Sequence, residues 1–360
     1  MKTATITLHN TDNCGSSLQA YALQFFLNSN GIENEIINYV PRYIKNNGHP
    51  FKNFIRQILY YRESKKRTKK FSSFLENYLK ISDKQYHKYH ELVSSPPKAD
   101  YYITGSDQLW NTMYKCGRDA AFYLNFGNAK KIAYAISIGQ EKISDEIVEK
   151  IVRFTSDYKW ISFREYSTVE QFNQLPLSIK ADYVCDPVLL NQREAYDEII
   201  GPRIVQERYI LVYIAQEIDK ELLRKSILSL NEGGYRKVVY IGTYRSKCEC
   251  DYHIRDMSPS EFLSLIIYSE FIISNSFHAT VFSLLYHKQF VSILPPGNSM
   301  RIKDILDKVG LNERIINCDN ISNIKDISEE KMKEVDDIIS KFSVESGKLL
   351  LSHIKMCREE

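Results

Sequence analysis

His278 is the residue whose setting most clearly invites proton chemistry. It lies in Phe271-Ile-Ile-Ser274-Asn275-Ser276-Phe277-His278-Ala279-Thr280, where a buried-strand pattern runs into an apolar helix. A histidine in the first turn of such a helix meets the positive end of the macrodipole, which disfavours imidazolium unless an anion is close by. A bound phosphate reverses that bias and makes His278 a general acid whose acidity depends on substrate. The plainer reading is a structural histidine. Asn275 and Ser276 just before it are candidate substrate-binding residues. Arg301, which opens a helix after Pro295-Pro-Gly-Asn-Ser-Met300, either joins them or is solvated.

Three further loops follow strand-like runs. In Trp160-Ile-Ser-Phe-Arg164-Glu-Tyr-Ser167, Arg164 ends an apolar strand and begins a helix. That puts its guanidinium at the mouth of a sheet, suited to bidentate binding of carboxylate or phosphate. The alternative is a pairing with Glu165 or Asp186 that locks the helix. Gly105-Ser-Asp107-Gln108-Leu-Trp110-Asn111 combines a glycine that allows close approach, donors and acceptors for hydroxyls, and a flat apolar face, the ingredients of a carbohydrate subsite. An Asx turn beside a core Trp explains it equally simply. The His9–Ser17 loop carries Asn13, Gly15 and Ser16, which either aim backbone N–H groups at a ligand or act as turn and cap residues. Neither GxGxxG nor GxxxxGK[ST] occurs, so dinucleotide and Walker-type phosphate binding are unsupported.

These loops need a scaffold of parallel strands and crossover helices. Strands are expected at Thr3–Leu8, Glu35–Tyr39, Tyr101–Thr104, Lys131–Ile136, Lys159–Phe163, Tyr183–Cys185, Tyr209–Ile214, Lys237–Ile241, Phe271–Ser274 and Phe290–Leu294. Helices are expected at Ser17–Asn28, Asp145–Thr155, Glu165–Phe172, Lys220–Leu230, Ser260–Tyr268, Phe277–Tyr286 and Ile302–Lys308. The two series predict an α/β domain over 1–190 and a second over 191–327, hinged near 187–207, with a tail over 328–360 of one or two helices packing back across the first half. Residues 42–98 interrupt the pattern without a convincing strand. Their run Arg62-Glu-Ser-Lys-Lys-Arg-Thr-Lys-Lys70 has six basic residues and one acid, +5 in all. A solvated helix face accounts for it; the sharper reading is peripheral contact with an anionic membrane or a lipid-diphosphate acceptor.

The 360 residues carry 48 Lys+Arg against 45 Asp+Glu, a formal +3 that argues against nucleic acid as the main partner. Aromatics at 12% exclude disorder. The N-terminus lacks the apolar core of a secretory signal, and no apolar run approaches the ~20 residues that span a bilayer. A cytoplasmic location is expected. The seven scattered Cys read as reduced thiols, and no structural zinc site is expected.

Asn13-Cys-Gly15 with Leu18-Gln-Ala-Tyr-Ala22, Gly105-Ser-Asp-Gln-Leu-Trp-Asn111, Ala133-Tyr-Ala-Ile-Ser-Ile-Gly139, Ile161-Ser-Phe-Arg-Glu165, Asp186-Pro-Val-Leu-Leu190 and Ser274-Asn-Ser-Phe-His-Ala-Thr280 occur in this order. Together, over about residues 3–310, the chain resembles the polysaccharide pyruvyl transferase family. The resemblance implies two Rossmann-like domains facing a cleft, as in the glycosyltransferase B arrangement. It also implies transfer of the carboxyethylidene group of phosphoenolpyruvate to a sugar diol, with phosphate released and phosphoenolpyruvate as co-substrate rather than a resident cofactor. His278 would then be the general acid, and Arg164 with Arg301 would hold phosphoenolpyruvate, both reaching the same small dianion. Asp107, Gln108, Trp110 and Asn111 would bind the acceptor, a sugar of a surface-polysaccharide precursor or a lipid-linked oligosaccharide, with Asp107 as base. No metal is implied. Some family members carry Arg-x-His where this chain has Ser276-x-His278, so residue 276 cannot form a salt bridge to the anion. The competing readings are a nucleotide-sugar glycosyltransferase of the same fold, with Glu261 and Arg245 available to the nucleotide, and a non-catalytic carbohydrate-binding scaffold.

Overall fold

Runs of apolar and β-branched residues, separated by helical periods long enough to cross a sheet, dictate parallel strands buried on both faces. A computed structural model describes residues 1–45, 59–231, 233–243, 245–318, 320–321 and 324–355. Two compact units emerge. The first holds the described residues of 1–47, 75–191 and 340–360, and the second those of 48–74 and 192–339.

The first unit contains strands β1 (Lys2–Ile6), β2 (Glu33–Ile36), β3 (Tyr101–Thr104), β4 (Lys130–Ile136), β5 (Tyr158–Phe163) and β6 (Ala181–Tyr183). They form one parallel sheet in the order β2-β1-β3-β4-β5-β6. Helices α1 (Cys14–Ser29) and α2 (Arg42–Lys45) precede α3 (Tyr61–Tyr78), followed by α4 (Tyr89–Ser94), α5 (Asp145–Phe154) and α6 (Tyr166–Asn173). Strand order reverses between β1 and β3, and a crevice for ligands opens at the carboxyl ends of strands that part in this way. The core runs from Ala4 and Ile6 through Trp110 and Phe122 to Ile161 and Phe163.

A bulge shapes the mouth of this sheet. The β4–β5 register slips between Ala133 and Ile136, and Ala135 takes φ +53°. Two hydroxyls satisfy the displaced peptide: Ala135 N–H donates to Ser162 Oγ at 3.1 Å, and Ser106 Oγ donates to Ala135 O at 2.8 Å.

In the second unit β7 (Tyr209–Tyr213), β8 (Lys237–Ile241), β9 (Tyr252–Ile254), β10 (Phe271–Ser274), β11 (Gln289–Ile293) and β12 (Ile315–Ile316) form another parallel sheet. Its order is β12-β11-β10-β7-β8-β9, with the switch between β7 and β10. Its helices are α7 (Lys220–Leu230), α8 (Pro259–Ile267), α9 (Phe277–Leu285) and α10 (Met300–Lys308). The ten expected strands are present with ends shifted by a few residues. β9 and β12 escaped the sequence pattern because they are three- and two-residue edge strands, too short to show a period.

The tail, expected as one or two helices packing back across the first half, is one helix, α11 (Glu329–Lys355), divided between the units at Ile339/Ser340. Its later turns belong to the first unit: Cys185 N–H donates to Ser346 Oγ at 2.9 Å, and His353 stacks on Trp160 at 4.7 Å. The insertion is divided as well, since α3 up to Phe74 counts with the second unit. Residues 46–58 of it lie outside the described residues. Farther on, Ile81 and Tyr86 form isolated parallel bridges to Ile36 and Tyr39, where no strand was expected.

Candidate active site

In the first unit the loops after β1, β3 and β5 bring their polar residues together. Asn13 caps α1, its Oδ1 accepting from Ser16 N–H at 3.3 Å, so Cys14, Gly15 and Ser16 form the first helical turn. That turn aims Ser16 Oγ at Asp107 Oδ2, 2.5 Å away. Asp107 is 7% exposed and holds φ +89°, a region that costs a non-glycine residue on the order of 1–3 kcal/mol. One long-range and one local bond hold it there: its carbonyl accepts from Ser137 N–H at 3.1 Å, and its Oδ1 accepts from Gln108 N–H at 2.8 Å.

Arg164 follows β5 at the end of its sheet, as expected, but its guanidinium is not open to a ligand. Its side chain is fully buried, with Nη1 2.6 Å from Asp186 Oδ2 and 3.1 Å from Ser106 Oγ, Nη2 3.5 Å from Asp107 Oδ1, and Nε 3.6 Å from Glu165 Oε1. Burial alone would depress its pKa, and the carboxylates of Asp186, Asp107 and Glu165 outweigh burial and hold it above the usual value. A guanidinium so enclosed presents no fork to a small dianion. The helix-locking alternative describes it, and Arg164 becomes the residue that positions Asp107.

Trp110, expected to offer a face to the acceptor, is consumed by the core. It is 0% exposed, stacks on Tyr123 at 5.1 Å, and donates Nε1–H to Phe122 O at 3.1 Å. No face remains for a sugar ring. Beside it, the amides of Gln108, Asn111 and Gln140 form a chain: Asn111 Nδ2 donates to Gln108 Oε1 at 2.8 Å, and Gln140 Nε2 donates to Asn111 Oδ1 at 2.9 Å. Asn111 Oδ1 also accepts from Met113 N–H, so this buried amide braces the loop while Gln108 and Gln140 are half-exposed. Gly139 makes the chain possible. At φ +65°, an added Cβ would sit 2.1 Å from Gln108 Oε1. Gln140, Glu165, Ser106 and Asp186 were missed as site residues, although all four lie in or beside the quoted motifs.

The second unit gathers its own set at the β7/β10 switch. Asn275 departs from expectation: its Oδ1 accepts from Ala215 N–H at 2.7 Å and Gln216 N–H at 3.2 Å, and its Nδ2 donates to Glu217 O, which makes it a brace between loops. Ser276 caps α9, its Oγ accepting from Ala279 N–H. His278, 7% exposed in the first turn, meets the Phe277 ring edge-on at 5.3 Å. Arg301, 6% exposed in the first turn of α10, places its guanidinium carbon 5.6 Å from the same ring and donates Nε–H to Asn298 Oδ1 at 3.1 Å. An imidazole and a guanidinium thus share one aromatic neighbour, each on the opening turn of a helix. Glu261 is committed elsewhere, to the capping box of α8 and to Lys70. Arg164 and Asp107 belong to the first unit, His278 and Arg301 to the second.

The fold has solved counterparts. A protein of Listeria monocytogenes described as a UDP-N-acetylglucosamine 2-epimerase matches with TM-score 0.60 at 9% identity, over 99% of this chain and 97% of that one. The UDP-GlcNAc 2-epimerase of Methanocaldococcus jannaschii matches with TM-score 0.51 at 14% identity, over 99% and 100%. The glycosyltransferase UGT2 of Phytolacca americana matches with TM-score 0.51 at 9% identity, over the full length of both chains at 100% each. At these identities the likeness establishes the fold class, α/β of the glycosyltransferase B type. No curated protein matches the sequence. The family model described as polysaccharide pyruvyl transferase matches residues 13–295, most of the chain and all six of the quoted motifs. The chain belongs to the polysaccharide pyruvyl transferase family.

Proposed function

We propose that the protein transfers the carboxyethylidene group of phosphoenolpyruvate to two hydroxyls of one sugar in a surface-polysaccharide precursor, forming a pyruvate ketal and releasing phosphate. Family membership supports the transferase class, and the observation that supports the finer reading is the placement of His278 and Arg301 against one ring, that of Phe277. Phosphoenolpyruvate is a carboxylate and a phosphate on one small frame, and a guanidinium beside helix N–H groups suits such a ligand.

His278 delivers a proton to the methylene carbon, leaving an oxocarbenium-like centre at C2. A sugar hydroxyl adds there and gives up its proton to a base. Departure of phosphate regenerates a cationic centre, and the second hydroxyl closes the ring with loss of its own proton. Asp107 is the proposed base, held by Ser16 and Arg164, with Gln108 binding acceptor hydroxyls. Of the three carboxylates around Arg164, Asp107 has the most exposed side chain, at 10% against 1% for Glu165 and Asp186. The reaction draws on no resident cofactor or metal, so turnover should persist with a chelator.

The test is to incubate the protein with phosphoenolpyruvate and oligosaccharide acceptors, free and lipid-linked, and to measure phosphate release with the acceptor's mass. A gain of one carboxyethylidene unit per phosphate is expected, and His278→Gln should slow turnover about 10²–10⁴-fold while acceptor binding persists. Equal turnover by the variant removes His278 from the chemistry. Thermal stabilisation by nucleotide sugars but not by phosphoenolpyruvate would favour glycosyl transfer instead.

A further inference from the structure

Helix α3 sorts its basic residues by direction. Arg67 and Lys70 turn inward within the second unit: Arg67 hydrogen-bonds Thr243 Oγ1, and Lys70 Nζ lies 2.8 and 2.9 Å from the two carboxylate oxygens of Glu261. Phe71 and Phe74 are buried on that side, and the Arg67 guanidinium lies over the Phe71 ring at 5.5 Å. Because Glu261 also closes the capping box of α8, these contacts fix the rotation of α3 about its own axis.

What remains outward is a stripe. Arg62, Lys65, Lys66 and Lys69 recur at i, i+3, i+4 and i+7, the spacing of one helix face, and all four are exposed. Glu63, the one acid of the run, is half-buried and falls on the side of Arg67 and Lys70. The stripe therefore presents +4, whereas the whole chain has a formal +3, so everything else sums to −1. Four cations on one helix face thus exceed the net charge of the whole chain. At its start Leu59 is 68% and Tyr61 is 61% exposed.

We propose that this face docks the protein on an anionic lipid bilayer, the four cations facing headgroups and Leu59 with Tyr61 entering the interface. A basic stripe with an exposed aliphatic and an exposed Tyr at one end fits a surface that is charged above and apolar below. A nucleic acid offers base faces to Tyr61 but no hydrocarbon layer for Leu59. Among the described residues no helix is long and apolar enough to cross a membrane, so the contact is peripheral. It does not rest on the reaction proposed above: a catalytically dead variant should bind vesicles unchanged.

The experiment is co-sedimentation of the full chain with vesicles of phosphatidylcholine alone and of phosphatidylcholine with phosphatidylglycerol, at low and high salt. Binding is expected only with phosphatidylglycerol and should fade at high salt as screening shortens. Each basic residue near such a surface contributes about fivefold in partitioning, so combining Arg62→Gln, Lys65→Gln, Lys66→Gln and Lys69→Gln should weaken binding by more than about tenfold, with far-UV circular dichroism unchanged. Leu59→Ser with Tyr61→Ser should weaken it at both salt concentrations. Equal sedimentation on both vesicle types, an undiminished quadruple variant, or capture by homopolymeric RNA in place of vesicles would overturn the assignment.

Discussion

Arg164 Nη1 donates to Asp186 Oδ2 at 2.6 Å between side chains 0% and 1% exposed, and the same guanidinium lies 3.5 Å from Asp107 Oδ1. A strand-end arginine thereby becomes the counterion of its own loops. Removing it leaves buried carboxylates without their cation, at about 3–5 kcal/mol. Arg164→Met should lose that much stability in urea unfolding, whereas Asp186→Asn, which leaves two carboxylates around the guanidinium, should lose less. A change under about 1 kcal/mol for Arg164→Met would show that the network contributes little to folding.

Asp107→Asn separates charge from shape, because Asn tolerates the left-handed backbone that this position holds. The variant should fold normally and release phosphate from phosphoenolpyruvate about 10²–10⁴ times more slowly if Asp107 is the base. Wild-type rates would leave Asp107 only a structural part in the Ser16–Arg164 network.

Gly139→Ala places a methyl group against Gln108 and imposes a positive φ on an L side chain. It should cost about 1–3 kcal/mol and weaken acceptor binding more than phosphoenolpyruvate binding. Comparing KM for the two substrates checks this, and equal changes in both would disconnect the amide chain from the acceptor.

His9 supplies a pH dependence. Burial lowers its pKa below the usual histidine value, with the Thr7 carbonyl and Asn38 partly opposing. A depressed folded-state pKa means that between that value and about 6.5 the unfolded chain binds a proton that the folded one does not. Stability contributed by neutral His9 is present above about pH 6.5 and falls as the pH drops, by up to about 1.4 kcal/mol per unit. Unfolding midpoints between neutral and mildly acidic pH should fall less steeply for His9→Gln. Parallel slopes would assign the acid sensitivity to other groups.

Much of this was legible because it is local. Asp107 and His278 each stand just after an apolar run, where strand gives way to loop or helix, and a cap such as Ser276 bonds only three residues ahead. Period and punctuation therefore located the sheets and the loops at their carboxyl ends. Side-chain commitments over long chain separations were beyond such signals. Sequence allows both fates for Arg164, but only the adjacency of β3, β4, β5 and the residues after β6 decides that its guanidinium meets Ser106, 58 positions away, and Asp186, 22 away. Trp110 was decided the same way, by the aromatic layer of Tyr123, Tyr158 and Phe163 that closes over it. Chain order and residue type determined which groups stand at the ends of the strands. Tertiary packing decided which of them stay open to a ligand and which are consumed by one another, because burial forces polar atoms to find partners wherever the fold has placed them.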